Sequence, residues 1–363
     1  MVEYLSGNRI QGSTYTQNVA AKNTSWKQVG RSVVGSGGAT SLSCTFTPKD
    51  RHMVLFFREG VSGGTGGNGK WQVGSSGSID AGSNYAERYS HYGNDDTAQN
   101  GQTGFGQWDT GTHERFDVLE FTNKSGEETT IYGHCAVNND SGTSSDPFRV
   151  EFVGKWTGTG QVNIIKWQNT NTMVEGSEMI VLGMDNDDDG STGTNFWQEL
   201  KNFNKDDGNG SQIICPTFTA KKYLMVDAFT IPANNGFKGR VEFGTSGSYD
   251  TSNVYRQRWN DNGTDGDSTD GTPNASHYAY TNDVSISQRI NMIIVNKSDK
   301  IKLTLYWANS SGGASDDGFR REGVGKYVRT DRQITDIRLH NQQSGGDAAN
   351  NSYIRVCGGE HSA

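Results

Sequence analysis

Apolar and polar positions alternate regularly in residues 148–156, where Phe148, Val150 and Phe152 are spaced two apart. Alternation with a period of two residues predicts a β-strand that buries one face. The order Phe, Arg, Glu, Val, Gly and Lys returns in residues 319–327, and an aromatic residue, Trp156 or Tyr327, closes each copy. The pattern therefore predicts one strand that the chain contains twice.

Further segments match in the same order at a nearly constant offset. They are residues 45–47 with 217–219, 74–80 with 244–250, 85–89 with 255–259, 123–125 with 296–298, and 26–29 with 197–200. We interpret these matches as an internal duplication. Two copies are too few for a solenoid, so each copy is predicted to form a domain with its own core.

Both copies consist of short apolar or alternating segments, and neither contains a convincing amphipathic helix. In the first copy the predicted strands are 29–34, 41–46, 52–57, 70–73, 115–122, 129–135, 148–153, 161–167 and 178–182. In the second copy they are 212–218, 223–231, 239–243, 289–295, 302–307, 319–324, 333–339 and 353–357. Turn-rich segments, including 60–69 and 93–106, separate the strands, in keeping with 48 glycines and only five prolines. Many short strands with glycine-rich turns indicate an antiparallel sandwich.

The predicted fold is therefore all-β, with two tandem antiparallel β-sandwich, jelly-roll-like domains and an extended N-terminal arm. The predicted boundaries are 1–25 for the arm, 26–184 for the first domain, 185–196 for an acidic linker and 197–363 for the second domain. The arm has no counterpart in the second copy, and its apolar residues are widely spaced. One hypothesis is that it docks on a neighbouring subunit of a homo-oligomer, where it could cover a sheet edge; the alternative is a loose tail.

Charge and composition narrow the classes of partner. The 363-residue chain carries a formal charge of -8, and this argues against direct binding to a nucleic-acid backbone. No apolar run is long enough to span a membrane, and the N-terminus lacks the pattern of a signal peptide. Synthesis in a cytoplasm is expected. The four cysteines lie at non-equivalent positions of the two copies, which favours small buried thiols over a duplicated disulfide or zinc framework.

The linker contains half of a calcium-binding pattern. Asp185, Asp187 and Asp189 alternate and are followed by Gly190, as at the start of a calcium loop. The closing glutamate is missing, because Phe196 stands where it is expected. A solvated acidic linker is the alternative, and no other cofactor is predicted.

Catalytic motifs of useful specificity are absent from the sequence, so no enzyme activity is predicted. It has no nucleophile elbow, no His-Glu-x-x-His, no P-loop and no Cys-x-x-Cys. Four aromatic residues in or beside loops, Trp71, Tyr92, Trp108 and Tyr278, are candidate glycan contacts. The alternative for each of them is a structural role at the end of the core.

One short element stands at the same place in both copies: a tyrosine, two further residues, an arginine and an aromatic residue. It ends with Arg88 and Tyr89 in the first copy and with Arg258 and Trp259 in the second, and an acidic loop follows each time. We expect each guanidinium to be held beneath that loop by a carboxylate or by backbone carbonyls. The alternative is a solvated arginine that stacks on its aromatic neighbour.

Residues 5–13, 82–90, 153–156 and 176–183 resemble a family of proteins that marine tailed phages and related marine viruses encode. The resemblance covers most of the first copy and, more loosely, the second, where Gly-Ser-Asn is lost before Tyr255 and Gly323 enters the strand. It implies a β-sandwich component of the virion and supplies no catalytic or binding residues.

The resulting hypothesis is a virion structural protein of a capsid shell, decoration layer or tail appendage. It would bind itself through its sandwich domains and arm, and would also bind other virion proteins. The alternative hypothesis is a glycan-binding adhesin with calcium-supported loops, which would contact glycans of a host surface.

Overall fold

In the computed structural model the described residues are 3–5, 8–10, 25–63, 69–91, 96–106, 112–139, 142, 145–187, 195–234, 236–250, 254–261, 268–269, 277–278, 286–310, 319–341 and 345–361. They divide into two compact units. Unit 1 comprises Met1–Asn139 and Phe148–Gln198, and unit 2 comprises Asp140–Pro147 and Glu199–Ala363.

The described residues contain β-strands and no helix, which confirms the all-β prediction. The first fifteen strands are β1 (Glu3–Leu5), β2 (Asn8–Ile10), β3 (Lys27–Val33), β4 (Ala39–Thr45), β5 (Arg51–Arg58), β6 (Val61–Ser62), β7 (Gly69–Ser75), β8 (Ser78–Ile79), β9 (Tyr85–His91), β10 (Thr97–Gln102), β11 (Arg115–Thr122), β12 (Thr129–Val137), β13 (Phe148–Trp156), β14 (Val162–Met173) and β15 (Glu178–Met184). The others are β16 (Gln198–Asn204), β17 (Gln212–Cys215), β18 (Tyr223–Thr230), β19 (Gly239–Thr245), β20 (Ser248–Tyr249), β21 (Tyr255–Asp261), β22 (Ser268–Thr269), β23 (His277–Tyr278), β24 (Gln288–Val295), β25 (Lys302–Ser310), β26 (Phe319–Tyr327), β27 (Asp336–Asn341) and β28 (Tyr353–Gly359). Among these residues no helix is long and apolar enough to cross a membrane.

Besides the two-stranded β1-β2 sheet near the N-terminus, unit 1 contains two larger antiparallel sheets with a core between them. The larger sheet has the order β3-β15-β5-β11-β12-β13-β9-β10, and the smaller has the order β4-β14-β7-β8, with β6 beside β14. One apolar cluster joins inward residues of both sheets, such as Phe56 and Val150 from the larger sheet and Trp71 and Trp167 from the smaller. Two sheets that bury their facing sides in this way form a β-sandwich.

Unit 2 has the same strand order. Its larger sheet is β16-β28-β18-β24-β25-β26-β21-β22, and its smaller sheet is β17-β27-β19-β20, with β23 beside β19. Along both main paths each position is filled by the strand from the corresponding place in the copy, whereas β6 and β23 are not equivalent, because β6 pairs with β14 and β23 pairs with β19, the counterpart of β7. The origin of the two units by duplication stays a prediction.

One detail of the strand prediction differs from the structure. Residues 97–102 belong to a segment expected to consist of turns, yet they form β10, an edge strand that pairs with β9. Most of its side chains are exposed, so it lacks the apolar alternation by which strands are recognised. The predicted domain boundaries stay a prediction.

A tyrosine hydroxyl holds the small sheet in the same way in both units. The Tyr85 hydroxyl accepts from the Val73 amide at 3.1 Å, and its one proton is shared between the carbonyls of Val73 at 2.8 Å and Asp80 at 2.7 Å. The Tyr255 hydroxyl makes the equivalent bonds to Phe243 and Asp250. The tyrosine that opens the recurring element is thus buried and structural.

A buried asparagine joins two loops in each unit. The Asn123 side chain donates to the Val162 carbonyl at 2.9 Å and accepts from the Val162 amide at 2.7 Å. Asn296 does the same with Ile334, at 3.1 and 2.7 Å. Because the amide satisfies a backbone donor and a backbone acceptor together, each asparagine replaces a pair of ladder hydrogen bonds.

His52 makes unit 1 sensitive to acid. Its ring lies between Phe46 and Phe121, with centroid distances of 4.8 and 4.9 Å, and its Nε2 accepts from the Lys49 amide. Burial lowers the pKa of His52 from 6.5 to about 4. The unfolded state therefore takes up a proton at a higher pH than the folded state, so this contribution to stability is complete above pH 6.5 and is lost as the pH falls towards 4.

We expect the free energy of unfolding of unit 1 to fall by about 1–2 kcal/mol from this residue between pH 7 and 5. The control is His52→Leu, since unit 2 has Leu224 at the equivalent position of β18. Urea unfolding at both pH values should show a smaller loss in the variant. Equal losses in the two proteins would assign the acid sensitivity to other groups.

The four cysteines are free and buried, as the sequence indicates. Cys44 and Cys135 belong to unit 1, and Cys215 and Cys357 belong to unit 2. Burial raises the pKa of Cys44 and of Cys215 to about 12 and that of Cys357 to about 11. These thiols stay protonated and serve as small apolar groups.

Candidate functional site

The outer side of the smaller sheet in unit 1 presents two rows of polar side chains. The registers place Ser43, Lys166 and Gln72 in one row and Ser41, Gln168 and Lys70 in the next. We call these six residues face 1. Face 1 arises because residues of β4, β7 and β14 alternate, so that Trp71, Val73, Ile165 and Trp167 point into the core.

The same positions in unit 2 form face 2. The rows are Ile214, Arg338 and Glu242, followed by Gln212, His340 and Arg240. The fully buried Glu242 carboxylate contacts Arg338 at 2.5 Å and Arg240 at 2.7 Å. Arg338 also donates to Gln212 at 3.1 Å, and its guanidinium lies 4.4 Å from the centre of the Tyr249 ring. Face 2 therefore holds its two arginines together with a carboxylate of its own.

Two cations recur at equivalent positions of the two faces, namely Lys70 with Arg240 and Lys166 with Arg338. The carboxylate does not recur, because Gln72 stands where unit 2 has Glu242. Lys70 donates to the Thr103 hydroxyl at 2.6 Å, and Gln72 donates to the Thr103 carbonyl at 2.8 Å. Face 1 is thus a basic surface in a chain whose overall charge is negative.

The electrostatics of Lys166 reflect this difference. Its pKa is lowered by partial burial and then by repulsion from Lys70. Of the ionisable groups that the structure describes, none on face 1 is a carboxylate. On face 2, burial lowers the pKa of His340, so the imidazole beside Arg240 and Glu242 is neutral at pH 7. Face 1 is consequently the one that attracts an anion from solution.

A second charged cluster lies inside unit 1. The fully buried Asp117 carboxylate accepts from Arg115 Nε at 2.7 Å and from Trp71 Nε1 at 3.1 Å. The Arg115 guanidinium also lies 4.3 Å from the centre of the Trp167 ring. Arg58 is fully buried as well and donates to the His113 carbonyl at 3.2 Å. Since the cluster is closed to solvent, we interpret it as structural.

The recurring element lies on strands β9 and β21. Arg88 pairs with Asp96 at 3.0 Å, and the two side chains are 66% and 55% exposed. The expected bond to a carboxylate of the acidic loop is thus present, but Arg88 is not held beneath the loop, because the outward side of β9 leaves its side chain in solvent. Tyr89 points inward, is buried and binds Gln99 through its hydroxyl at 3.2 Å.

Because the Arg88–Asp96 pair is solvated, Arg88→Ala should lower the free energy of unfolding by less than about 1 kcal/mol. The measurement is thermal unfolding at low and at moderate salt. A loss several times larger would show that Arg88 stabilises the fold, as we expected from the sequence.

In unit 2 the same element has different surroundings. Arg258 and Trp259 are partly buried, and Trp259 packs against the core of unit 2. The guanidinium that lies over the Trp259 ring, at 5.0 Å, belongs to Arg321 of the neighbouring strand β26. The element therefore supports an aromatic contact in unit 2 and an exposed ion pair in unit 1.

The structure separates the four candidate glycan contacts. Trp71 is fully buried at the centre of the unit 1 core, so its assignment as a glycan contact is wrong. Tyr92 and Trp108 lie outside the described residues. Tyr278 lies on strand β23, and its backbone pairs with that of Arg240 on β19, in the sheet that carries face 2.

The three aspartates of the calcium pattern also have different outcomes. The Asp185 carboxylate forms an ion pair with Lys49 and accepts from the Asp50 amide at 3.3 Å. Asp187 is exposed, and Asp189 lies outside the described residues. Within the described part of the chain, no group of three or more histidine, cysteine or acidic residues is arranged to hold a metal ion.

Sequence reasoning missed both faces, although it identified the strands that carry them. The available signal was a charged or amide residue at every second position of a strand, as in Lys70-Trp71-Gln72 and Arg338-Leu339-His340. Such a pattern marks an outward side. It does not tell which distant strands complete the surface.

No protein-family model matches the chain, and no curated protein matches it. Among solved structures, the CBM2 module of the evolved Dit of Lactobacillus casei BL23 phage J-1 is 12% identical, with a TM-score of 0.15, over 50% of this chain and 92% of that one. A thioesterase II candidate from Thermobifida fusca YX is 8% identical, with a TM-score of 0.11, over 81% of this chain and 94% of that one. Likenesses at these TM-scores carry no argument about fold or function.

Proposed function

We propose that the protein is a non-enzymatic structural component of a virus particle, in a capsid shell, a decoration layer or a tail appendage. The observation that carries the proposal is that one two-sheet unit is built twice in the chain, with the same strand order. Buried side chains such as Tyr85 and Tyr255 bind backbone groups in both units. The assignment to a virus particle rests on the resemblance of residues 5–13 and 82–90 to proteins of marine phages.

Compact units of this kind suit a repeated assembly. In a symmetric shell the same modest interface recurs many times, so rigid surfaces add up to a stable particle. We propose a homo-oligomer that contacts other virion proteins, and that is made in the host cytoplasm and found in the virion.

The test is quantitative mass spectrometry of particles purified from a lysed host culture. Hundreds of copies per particle would support a shell or decoration layer, and a few copies would support a tail appendage. Recovery from the cell envelope, with none in the particle fraction, would contradict the proposal.

The arm is tested separately. Deletion of residues 2–25 should leave the β-sheet circular dichroism spectrum unchanged and reduce the assembled fraction measured by light scattering. The full chain at the same concentration is the control. Equal assembly of both proteins would show that residues 1–25 have no part in it.

A further inference from the structure

We propose that face 1, the outer side of the smaller sheet in unit 1, binds the carboxylate or sulfate groups of an acidic polysaccharide. Its cationic groups are Lys70 and Lys166, and the residue between them is Gln72. This inference goes beyond the proposed structural role and does not depend on membership of a virus particle.

The equivalent positions of unit 2 indicate which chemical group would bind to face 1. There the two cations, Arg240 and Arg338, converge on the two oxygens of Glu242. The carboxylate satisfies both cations without help from solvent. In unit 1 the chain supplies an amide at this position, and Gln72 is buried and donates to the Thr103 carbonyl. An external oxyanion can instead contact the half-buried Lys70 and Lys166 and so neutralise the pair that Glu242 neutralises in unit 2.

The two lysines repel one another as long as no anion is bound. Lys70 is the partner of Gln168 and Lys166 is the partner of Gln72, which makes the lysines diagonal neighbours on adjacent strands. Diagonal neighbours of this kind lie about 7–8 Å apart, within reach of long side chains. Partial burial, and then repulsion from Lys70, lower the pKa of Lys166. An oxyanion between the ammonium groups removes the repulsion and gains two charge-assisted contacts.

The rest of face 1 favours a sugar polymer. Ser41, Ser43 and Gln168 add hydroxyl and amide groups in the same two rows, and these suit sugar hydroxyls. The surface is a sheet side, so it accepts an extended chain. A nucleic acid would need more cations than two, because its affinity comes from the neutralisation of several phosphates, and the whole chain is negatively charged.

The experiment uses the full chain and two commercial polyanions, alginate for carboxylate and dextran sulfate for sulfate, with neutral dextran as the control ligand. Affinity is measured by titration calorimetry at low and at moderate salt. We expect binding of at least one polyanion, none of neutral dextran, and weakening as salt screens the lysines.

The double variant Lys70→Gln/Lys166→Gln should weaken binding by about tenfold. Its control, Lys124→Gln/Lys155→Gln, removes the same charge from exposed positions of unit 1. Equal weakening by both double variants would reduce the effect to overall charge and would overturn the proposal.

A variant that adds the missing carboxylate tests the argument from unit 2. Gln72→Glu should lower affinity at least as much as loss of the lysines, whereas Ser125→Glu, with the same charge change at an exposed turn, should leave it nearly unchanged. Thermal unfolding checks that Gln72→Glu is folded, and Gln72→Leu, which adds no charge, should retain binding.

Four further results would overturn the proposal. They are no binding of either polyanion, equal binding by Gln72→Glu and the parent protein, tighter binding of duplex DNA than of both polysaccharides, and lysine-dependent self-association in place of polysaccharide binding. Particle mass spectrometry is unaffected by each of these results, so the structural proposal stands or fails on its own.

Discussion

Asp117→Ala is expected to destabilise unit 1 by about 3–5 kcal/mol, the usual cost of removing one partner of a buried ion pair. Asp117 and Arg115 are both fully buried, and the carboxylate also accepts from Trp71 Nε1. Without it, the charged guanidinium of Arg115 remains inside the core beside Arg58, which is also buried. Denaturant unfolding followed by tryptophan fluorescence measures the effect, because Trp71 and Trp167 lie in the same core.

Unit 2 supplies the matched control for this experiment. At the positions of Arg115 and Asp117, strand β24 carries Gln288 and Ile290. The double variant Arg115→Gln/Asp117→Ile removes both charges and should recover a large part of the stability lost in Asp117→Ala, since an apolar or neutral replacement of a buried pair is often tolerated. A double variant less stable than the single one would mean that the aspartate acts through something other than the charge of Arg115.

Asn123→Ala and Asn296→Ala should each cost about 2–4 kcal/mol, because each leaves one buried backbone donor and one buried backbone acceptor without a partner. The lost partners are Val162 in unit 1 and Ile334 in unit 2. Urea unfolding measures both variants. Asn100→Ala, at an exposed position of β10, is the control and should change stability by less than about 0.5 kcal/mol. Losses as small as that control would show that water replaces the asparagine amide.

These asparagines also begin Asn-x-Ser sequences of the kind that carry N-linked glycans. Since Asn123 and Asn296 are buried and their side chains are bonded to the backbone, neither is an acceptor in the folded protein. The motif at these two sites reflects the structural turn.

The strands were predictable where one face is buried, and less so elsewhere. The alternation of Val150 and Phe152 correctly marks the inward side of β13, and both residues are buried. Strand β10 was missed because an exposed edge strand has no apolar face to produce a pattern. Trp71 was misplaced because glycines flank its strand, so that from the sequence it resembles a loop residue, whereas the register puts it opposite Trp167.

The candidate site was out of reach for a different reason. Lys70 and Lys166 are far apart in the chain, and only the pairing of β7 with β14 brings them onto one surface. Register is a property of the assembled sheet, and a shift of β7 or β14 by one residue would turn the lysine of that strand to the opposite side and separate the pair. The aligned copies show that Gln72 stands where the second copy has Glu242. Only the two registers show that each of these residues lies opposite a cation of the next strand.

The buried thiols can report how fast each unit opens. Each unit holds two cysteines, and their high pKa values leave almost no thiolate in the folded state. An alkylating reagent can therefore modify a cysteine only after the surrounding strands separate. Peptide mapping of the modified cysteines over time would then report the opening rate of unit 1 and of unit 2 separately, in one sample and without denaturant.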